Sequence, residues 1–196
     1  MARGIQNREQ LNQILKLEKD IYIKNGWGMG KFMRFLMGDV TISLYRYVRL
    51  LREAEYHRNQ HGRYHRLLYI YYSRRKNKLG KKLGLEIWDN VFEEGLTIYH
   101  AGNIVVNGLA HVGKNCKLHG SNCIGNNGKT SPAPIIGNNV RLGVGAKVIG
   151  GVHIADYVTI AASAVVIRSC DIEGATLAGV PARVVKVTPP SSYHNE

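Results

Sequence analysis

Residues 136–147, Ile-Gly-Asn-Asn-Val-Arg-Leu-Gly-Val-Gly-Ala-Lys, form two consecutive six-residue units of one pattern. Each unit begins with an aliphatic residue followed by glycine, and its fifth residue is small or β-branched. The pattern extends in both directions, because an aliphatic residue returns at every sixth position with Thr130 as the only break. These positions are Val106, Val112, Leu118, Ile124, Ile136, Leu142, Val148, Ile154, Ile160, Val166 and Ile172.

A six-residue period fits strands and does not fit a helix. At about 100° per residue, six steps place successive aliphatic side chains on three different faces of an α-helix. A strand keeps them on one face, since six is even and side chains alternate. Gly-Lys-Asn at 113–115 and Gly-Asn-Asn at 125–127 and 137–139 tolerate positive φ at corners. The sequence therefore predicts a β-solenoid.

The repeat resembles that of the hexapeptide-repeat acyltransferases over residues 84–187. That resemblance implies a mainly β fold, a left-handed parallel β-helix with three six-residue units per coil, and a homotrimer. We expect an N-terminal helical segment at 1–83 and a C-terminal tail at 188–196. A β-helix that serves only as a scaffold remains an alternative.

Three helices are expected before the repeat. Residues 7–24 are amphipathic and are followed by a link at Trp27–Lys31. A second helix is predicted at about 39–60, with Asp39 as its N-cap. A third helix begins after Gly62 and leads into a basic run at 74–78. This run suits either a solvated helix end or a patch that contacts the membrane surface.

The chain carries 27 basic and 14 acidic residues, a net charge of +13, and the excess is concentrated between Arg46 and Lys82. Nucleic acid is the generic partner of such a chain, but no helix-turn-helix, zinc-finger or RNA-binding signature is present. A polyanionic cofactor and an acidic or membrane-linked acceptor suit the charge better. We expect no nucleic-acid partner.

The compartment expected from the sequence is the cytoplasm, with the inner face of the membrane as a further place of action. The N-terminus has no apolar signal region, and no apolar run is long enough to span a bilayer. Cys116 and Cys170 fall on inward repeat positions and are interpreted as core residues. The cysteine and histidine spacings fit no zinc site, so no metal is expected.

His100 is the predicted general base. Among hexapeptide acyltransferases the serine acetyltransferases resemble this stretch most, and His100 falls on their catalytic histidine. Glu86 falls near its acidic partner if one residue is deleted, whereas Trp88 and Tyr99 replace a histidine and an aspartate. A neutral imidazole has a pKa suited to removing a hydroxyl proton during acetyl transfer. Of the competing repeat histidines, His119 is kept as an acceptor-side candidate.

Acetyl-CoA is the expected cosubstrate. The run Gly179–Arg183, Gly-Val-Pro-Ala-Arg, matches the closing signature of the family. The resemblance implies that backbone groups near Val144, Gly145 and Ala162 meet the pantetheine arm. It also places cations near the nucleotide phosphates, which charge-assisted hydrogen bonds would hold. These cations are Arg168, Arg183 and Lys186.

The acceptor predicted from the sequence is a sugar hydroxyl in surface-polysaccharide biosynthesis. Serine acetyltransferases carry a loop at 125–134 that ends in His-Pro, and here that position is Ala133-Pro134. Polysaccharide-linked members show such an Ala-Pro. A sugar also needs uncharged polar groups and an aromatic face, and serine acetylation is the alternative. The predicted acceptor-binding residues are Trp88, Tyr99, Asn103, His119, Asn122 and Lys129.

Overall fold

The computed structural model describes residues 4–23, 33, 36–129 and 132–189. Among these residues, the helices α1 (Arg8–Tyr22), α2 (Val40–Asn59) and α3 (Arg63–Leu83) precede the repeat. Asp39 caps α2, since its carboxylate accepts a hydrogen bond from the backbone N–H of Thr41. These helices match the predicted ones within about two residues. The predicted link at Trp27–Lys31 and tail residues 190–196 lie outside the described residues.

The repeat folds into a parallel β-helix with three faces. The first face has the strand order β1-β3-β6-β9-β12, the second β4-β7-β10, and the third β2-β5-β8-β11-β13-β14. All pairs are parallel except the closing hairpin of β13 and β14. The strands are β1 (Leu85–Ile87), β2 (Thr97–Ile98), β3 (Ile104–Val106), β4 (His111–Val112), β5 (Lys117–Leu118), β6 (Cys123–Gly125), β7 (Ile135–Ile136), β8 (Arg141–Leu142), β9 (Lys147–Ile149), β10 (His153–Ile154), β11 (Thr159–Ile160), β12 (Val165–Val166), β13 (Ala175–Gly179) and β14 (Ala182–Val187).

The sixth-position aliphatic residues form the core of the β-helix. From Val106 to Val166 each is at most 2% exposed, and Cys116 and Cys170 are buried free thiols among them. The prediction is wrong at Ile172, which is 48% exposed. The last coil changes register there, because Cys170 pairs with Ile154 and Leu177 pairs with Ile160.

Two of the three predicted corners contain a residue with the left-handed backbone. Asn115 and Asn139 have φ of 57°, whereas no residue of 125–127 has a positive φ. Gly137 is required for another reason: a Cβ there would lie 2.9 Å from the backbone nitrogen of Asp156 in the next coil. The corners therefore allow the coils to stack closely.

A buried charge cluster joins the helices to the first coil. Arg52 of α2 binds Glu18 of α1 at 2.7 Å and Glu55 at 2.8 Å, and all three side chains are 1% exposed. The same guanidinium donates to the carbonyl oxygens of Phe92 and Glu93 at 2.8 and 2.6 Å. The cluster joins α1 and α2 to the first coil of the β-helix. Within the described ranges, no helix has the length and apolar character needed to cross a membrane.

Candidate active site

One corner of the β-helix collects most of the predicted site residues. It links the third face to the first and contains residues 99–103, 119–122, 143–146 and 161–164; we call it the His100 corner. The backbone N–H of His119 donates to Leu142, and that of Gly143 donates to Ile160. Successive coils are therefore in register here, about 4.8 Å apart.

His100 lies at the start of this corner and is exposed. Gly120 stacks on it, and a Cβ added to Gly120 would lie only 3.2 Å from the His100 Cβ. A side chain at position 120 would therefore crowd the imidazole. In the register of the corner, Val144 and Ala162 occupy the equivalent positions of the next two coils. The predicted base and the predicted cofactor residues thus form one column.

His119 and Tyr99 lie beside this column as a stacked pair. Their ring centroids are 4.5 Å apart with an angle of 17° between the planes. Burial lowers the pKa of His119, and the positive charge of Arg141 lowers it further. Its Nε2 is buried and has no hydrogen-bond partner among the described residues. His119 is therefore neutral near pH 7 and presents an unused ring nitrogen next to His100.

Glu86, Trp88 and Asn103 come together in a cavity of about 490 Å³ between α3 and the strands β1 and β3. This acceptor-side cavity is bounded on the helical side by five polar residues. No hydrogen bond or ion pair joins Glu86 to His100 in the described part of the chain, so the structure does not bring the predicted catalytic pair into contact. The polar lining residues of α3 are Tyr69, Ser73, Lys76, Asn77 and Lys81.

Some charged side chains of the cavity form ion pairs with each other, and others have no ion-pair partner among the described residues. Lys76 is buried and binds Asp89 at 2.5 Å, and the Tyr69 hydroxyl donates to Asp89 at 3.1 Å. Burial and the adjacent Asp89 raise the pKa of Tyr69. Glu86 and Lys81 are both exposed and have no ion-pair partner within the described residues. The cavity therefore presents one available carboxylate and one available ammonium group.

Sequence reasoning missed Lys81 and Asn77 as site residues. Both belong to the basic end of α3, which had been interpreted as a solvated helix end or a surface patch. Only the packing of α3 against β1 brings them into the cavity that Glu86 also lines. No motif in the sequence marks this contact.

Asn122 cannot bind an acceptor. Its residue is fully buried, its side-chain oxygen accepts from the N–H of Gly120, and its side-chain nitrogen donates to Gly143 and Ala146. The amide thus holds the corner together, and its assignment to the acceptor site is corrected here. Lys129 is exposed in the loop between β6 and β7, away from the His100 corner.

The predicted cofactor residues lie at two places. Val144, Gly145 and Ala162 belong to the His100 corner, and Val144 is 50% exposed. Arg183 and Lys186 lie on β14, which extends the third face next to that corner. Arg168 is exposed at the corner between the first and second faces, as are Trp88 and Lys129. Within one protomer, the predicted site residues therefore lie at two different corners of the β-helix.

Comparison with known proteins identifies the type of domain. Residues 133–168 match the family model described as bacterial transferase hexapeptide (six repeats). A serine acetyltransferase of Synechococcus elongatus is 36% identical over 94 residues, which are 47% of this chain and 38% of that protein. A serine acetyltransferase of Helicobacter pylori is 29% identical over 125 residues, 62% of this chain and 72% of that protein. The chain thus spans less than half of the Synechococcus relative.

Solved structures extend the likeness to the helices. Serine acetyltransferase from Brucella abortus in complex with coenzyme A gives a TM-score of 0.69 at 24% identity, covering 93% of this chain and 70% of that one. The Neisseria gonorrhoeae enzyme gives 0.68 at 22% identity, covering 97% and 72%. At these identities the likeness shows a shared fold.

These findings correct the predicted acceptor. The similar proteins are serine acetyltransferases, which contradicts the hypothesis of a sugar hydroxyl in polysaccharide biosynthesis and favours its alternative. The argument from Ala133 rested on the missing histidine and did not consider Lys81, a cation that lines the acceptor-side cavity. The repeat match covers residues 133–168, and the shared architecture shows that the chain has the fold of these proteins, a left-handed parallel β-helix preceded by helices.

Proposed function

We propose that this chain is an acetyl-CoA-dependent O-acetyltransferase whose acceptor is serine. The observation that carries the proposal is the alignment of its β-helix with serine acetyltransferases at 29–36% identity. The acceptor-side cavity supports it, because a free amino acid is a zwitterion and needs both charges complemented. Glu86 faces the ammonium group and Lys81 faces the carboxylate.

His100 acts as the general base. Its neutral imidazole takes the proton of the serine hydroxyl as the oxygen attacks the thioester carbonyl carbon. The tetrahedral intermediate collapses with cleavage of the carbon–sulfur bond. The departing thiolate then receives the proton from the imidazolium, so that O-acetylserine and free coenzyme A are formed. His119, held neutral beside it, adds no positive charge to oppose protonation of His100.

The His100 corner offers free backbone donors to the pantetheine arm. The N–H groups of Val144 and Ala162 donate to no other residue in the described chain, whereas those of Gly145 and Ser163 are used between coils. Val144 lies two coils from His100, about 10 Å along the axis. An extended arm along this column would bring its thioester end to the imidazole, with Arg183 and Lys186 available to the phosphates.

A homotrimer would unite the two halves of the site. Trp88, Lys129 and Arg168 occupy a different corner from His100 and Val144. Threefold packing of a triangular β-helix places one corner of each copy against another corner of its neighbour. The proposal therefore includes active sites between protomers, and a monomer in light scattering at micromolar concentration would contradict it.

The direct test is thiol release from acetyl-CoA with serine, threonine or alanine as the acceptor. We expect serine-dependent release and none with alanine, which has no hydroxyl. Lys81→Gln should raise KM for serine about tenfold or more with little change in coenzyme A affinity, since one charge-assisted hydrogen bond is lost. Lys82→Gln, one residue further on and outside this cavity, is the matched control.

Three results would contradict the proposal. Absence of serine-dependent release from a protein that binds coenzyme A would exclude serine as the acceptor. Equal effects of Lys81→Gln and Lys82→Gln would exclude the cavity as the acceptor site. A melting temperature unchanged by coenzyme A would return the chain to the scaffold alternative, because a ligand of the native state raises its stability.

A further inference from the structure

The face of α3 that points away from the β-helix exposes large apolar and aromatic side chains. Tyr64 and Leu67 are each 68% exposed, and Ile70 and Tyr71 are each 47% exposed. At 100° per residue these four lie on one arc of the helix, opposite the buried Lys76. Among the described residues, the ring contacts of Tyr64 and Tyr71 are made within α3 itself, with His65, Tyr72 and Arg75.

The same arc continues as a strip of cations. Arg74, Lys78 and Lys82 follow at helical spacing, and Arg75 lies at the edge of the arc. Helix α3 contains eight Lys or Arg residues and no Asp or Glu. None of these four cations forms an ion pair with a carboxylate among the described residues. We call this arc, from Tyr64 to Lys82, the α3 face.

A groove beside the α3 face gathers the charge. It has a volume of about 380 Å³ and lies between α2 and α3, with Leu50 and Leu79 among its lining residues. Its remaining lining residues are four cations, Arg46, Arg75, Lys78 and Lys82. Four positive groups around one concavity repel each other unless an anion lies between them. The shape and charge suit a phosphate headgroup.

We propose that the α3 face docks on an anionic lipid surface, with α3 lying parallel to it and headgroup phosphates in the groove. Apolar and aromatic side chains among Lys and Arg on one helix face are what an interfacial helix uses. A helix of 21 residues would lie along about 31 Å of the surface. The proposal concerns where the protein acts and does not depend on its acceptor.

Two other partners fit the α3 face less well. A second copy would bring one acid-free cationic strip against another, so the contact would be repulsive across its length. A nucleic-acid duplex would satisfy the cations but offers no apolar layer to Leu67 and Ile70, which are exposed beside them. A lipid surface complements both parts of the face.

The experiment is co-sedimentation of the full chain with vesicles of phosphatidylcholine, with and without phosphatidylglycerol. We expect binding to the anionic vesicles only, and loss of binding as salt is raised. Lys78→Gln with Lys82→Gln should weaken binding about 25-fold, since each cation near the surface contributes about fivefold. Lys16→Gln with Lys19→Gln removes the same charge from exposed positions of α1 and should have little effect.

The apolar part of the face is tested separately. Leu67→Gln with Ile70→Gln should weaken binding to anionic vesicles at least tenfold while leaving binding to heparin unchanged. Leu109→Gln, at a site 60% exposed on the β-helix, is the control. All variants should keep the wild-type melting temperature, because the substituted side chains are exposed.

Several outcomes would overturn the proposal. If the α1 and α3 charge variants weakened vesicle binding equally, binding would depend on net charge alone and not on the α3 face. Duplex DNA binding that exceeds vesicle binding and is unaffected by Leu67→Gln would favour nucleic acid. Self-association abolished by Leu67→Gln with Ile70→Gln, without vesicle binding, would make the face an interface between copies.

Discussion

Arg52→Met is expected to destabilise the fold severely, although the residue lies outside the proposed site. The guanidinium is 1% exposed and makes four groups of contacts, with the carboxylates of Glu18 and Glu55 and with the carbonyl oxygens of Phe92 and Glu93. Burial opposes its charge, but the two carboxylates more than offset this and raise the pKa of Arg52. Methionine fills a similar volume and satisfies none of these acceptors.

The magnitude follows from what is left unpaired. Removing one partner of a buried charge pair costs about 3–5 kcal/mol. Each carbonyl deprived of its charged donor adds about 1–3 kcal/mol, although such effects are not additive within one cluster. We therefore expect a loss of about 5 kcal/mol in the free energy of unfolding. That is a large fraction of the roughly 5–15 kcal/mol typical of a domain.

Urea denaturation at pH 5 and pH 8 provides the assay. Burial raises the pKa of Glu55, and Arg52 opposes this, so the substitution raises the pKa further. The folded variant then binds a proton more tightly than the unfolded chain, and its penalty is smaller at pH 5 than at pH 8. Arg49→Met, at an exposed position of the same helix, is the control. A loss below about 1 kcal/mol in the free energy of unfolding, or a loss that does not depend on pH, would show that the Arg52 cluster does not stabilise the fold in this way.

Three further predictions follow from single contacts. Asn122→Ala should lower the free energy of unfolding by about 2–3 kcal/mol, because it leaves buried backbone groups unpaired. Asn126→Ala, in the loop between β6 and β7, should lower the free energy of unfolding far less in the same urea titration. The His57 ring lies 2.8 Å from the His65 ring, nitrogen to nitrogen, and burial together with that neighbour lowers the pKa of His57. The unfolded chain therefore binds more protons near pH 6 than the folded chain does, so the free energy of unfolding should fall as pH drops below about 6.5. A His57→Gln variant whose stability depends on pH as steeply as that of the parent protein would contradict this. Arg183→Ala should weaken coenzyme A binding by about 1–3 kcal/mol in isothermal titration if the side chain holds a phosphate, and an unchanged isotherm would leave it a solvated cation.

The repeat could be predicted from the sequence because its aliphatic residues recur at a fixed interval and hydrophobic side chains at such positions are buried. Val112, Leu118 and Ile136 follow a strict six-residue period, and the corner asparagines that separate them adopt positive φ. Ile172 could not be placed by the same rule. Its coil is closed by an antiparallel hairpin, and pairing with β11 decides which residue faces inward.

The site was only partly predictable, since its residues depend on contacts between distant segments. His100 was predicted from its local pattern, and its role as the base stays a prediction. Asn122 was misassigned because a corner asparagine looks the same in sequence whether its amide faces solvent or the coil interior. Lys81 was missed because α3 docks on β1 through buried Lys76, which donates to the Ile87 carbonyl and pairs with Asp89, and no motif in the sequence marks this contact.

The central claim is that His100 removes the hydroxyl proton of serine. Turnover of serine by His100→Ala should fall by roughly two to four orders of magnitude, while coenzyme A affinity is retained, because a general base contributes this much to the chemical step. His153→Ala, an exposed repeat histidine on the second face, should remain close to wild type. The measurement is steady-state kcat for O-acetylserine formation by both variants and the parent. If the kcat of His100→Ala stayed within a few-fold of the parent value, His100 would not be the general base.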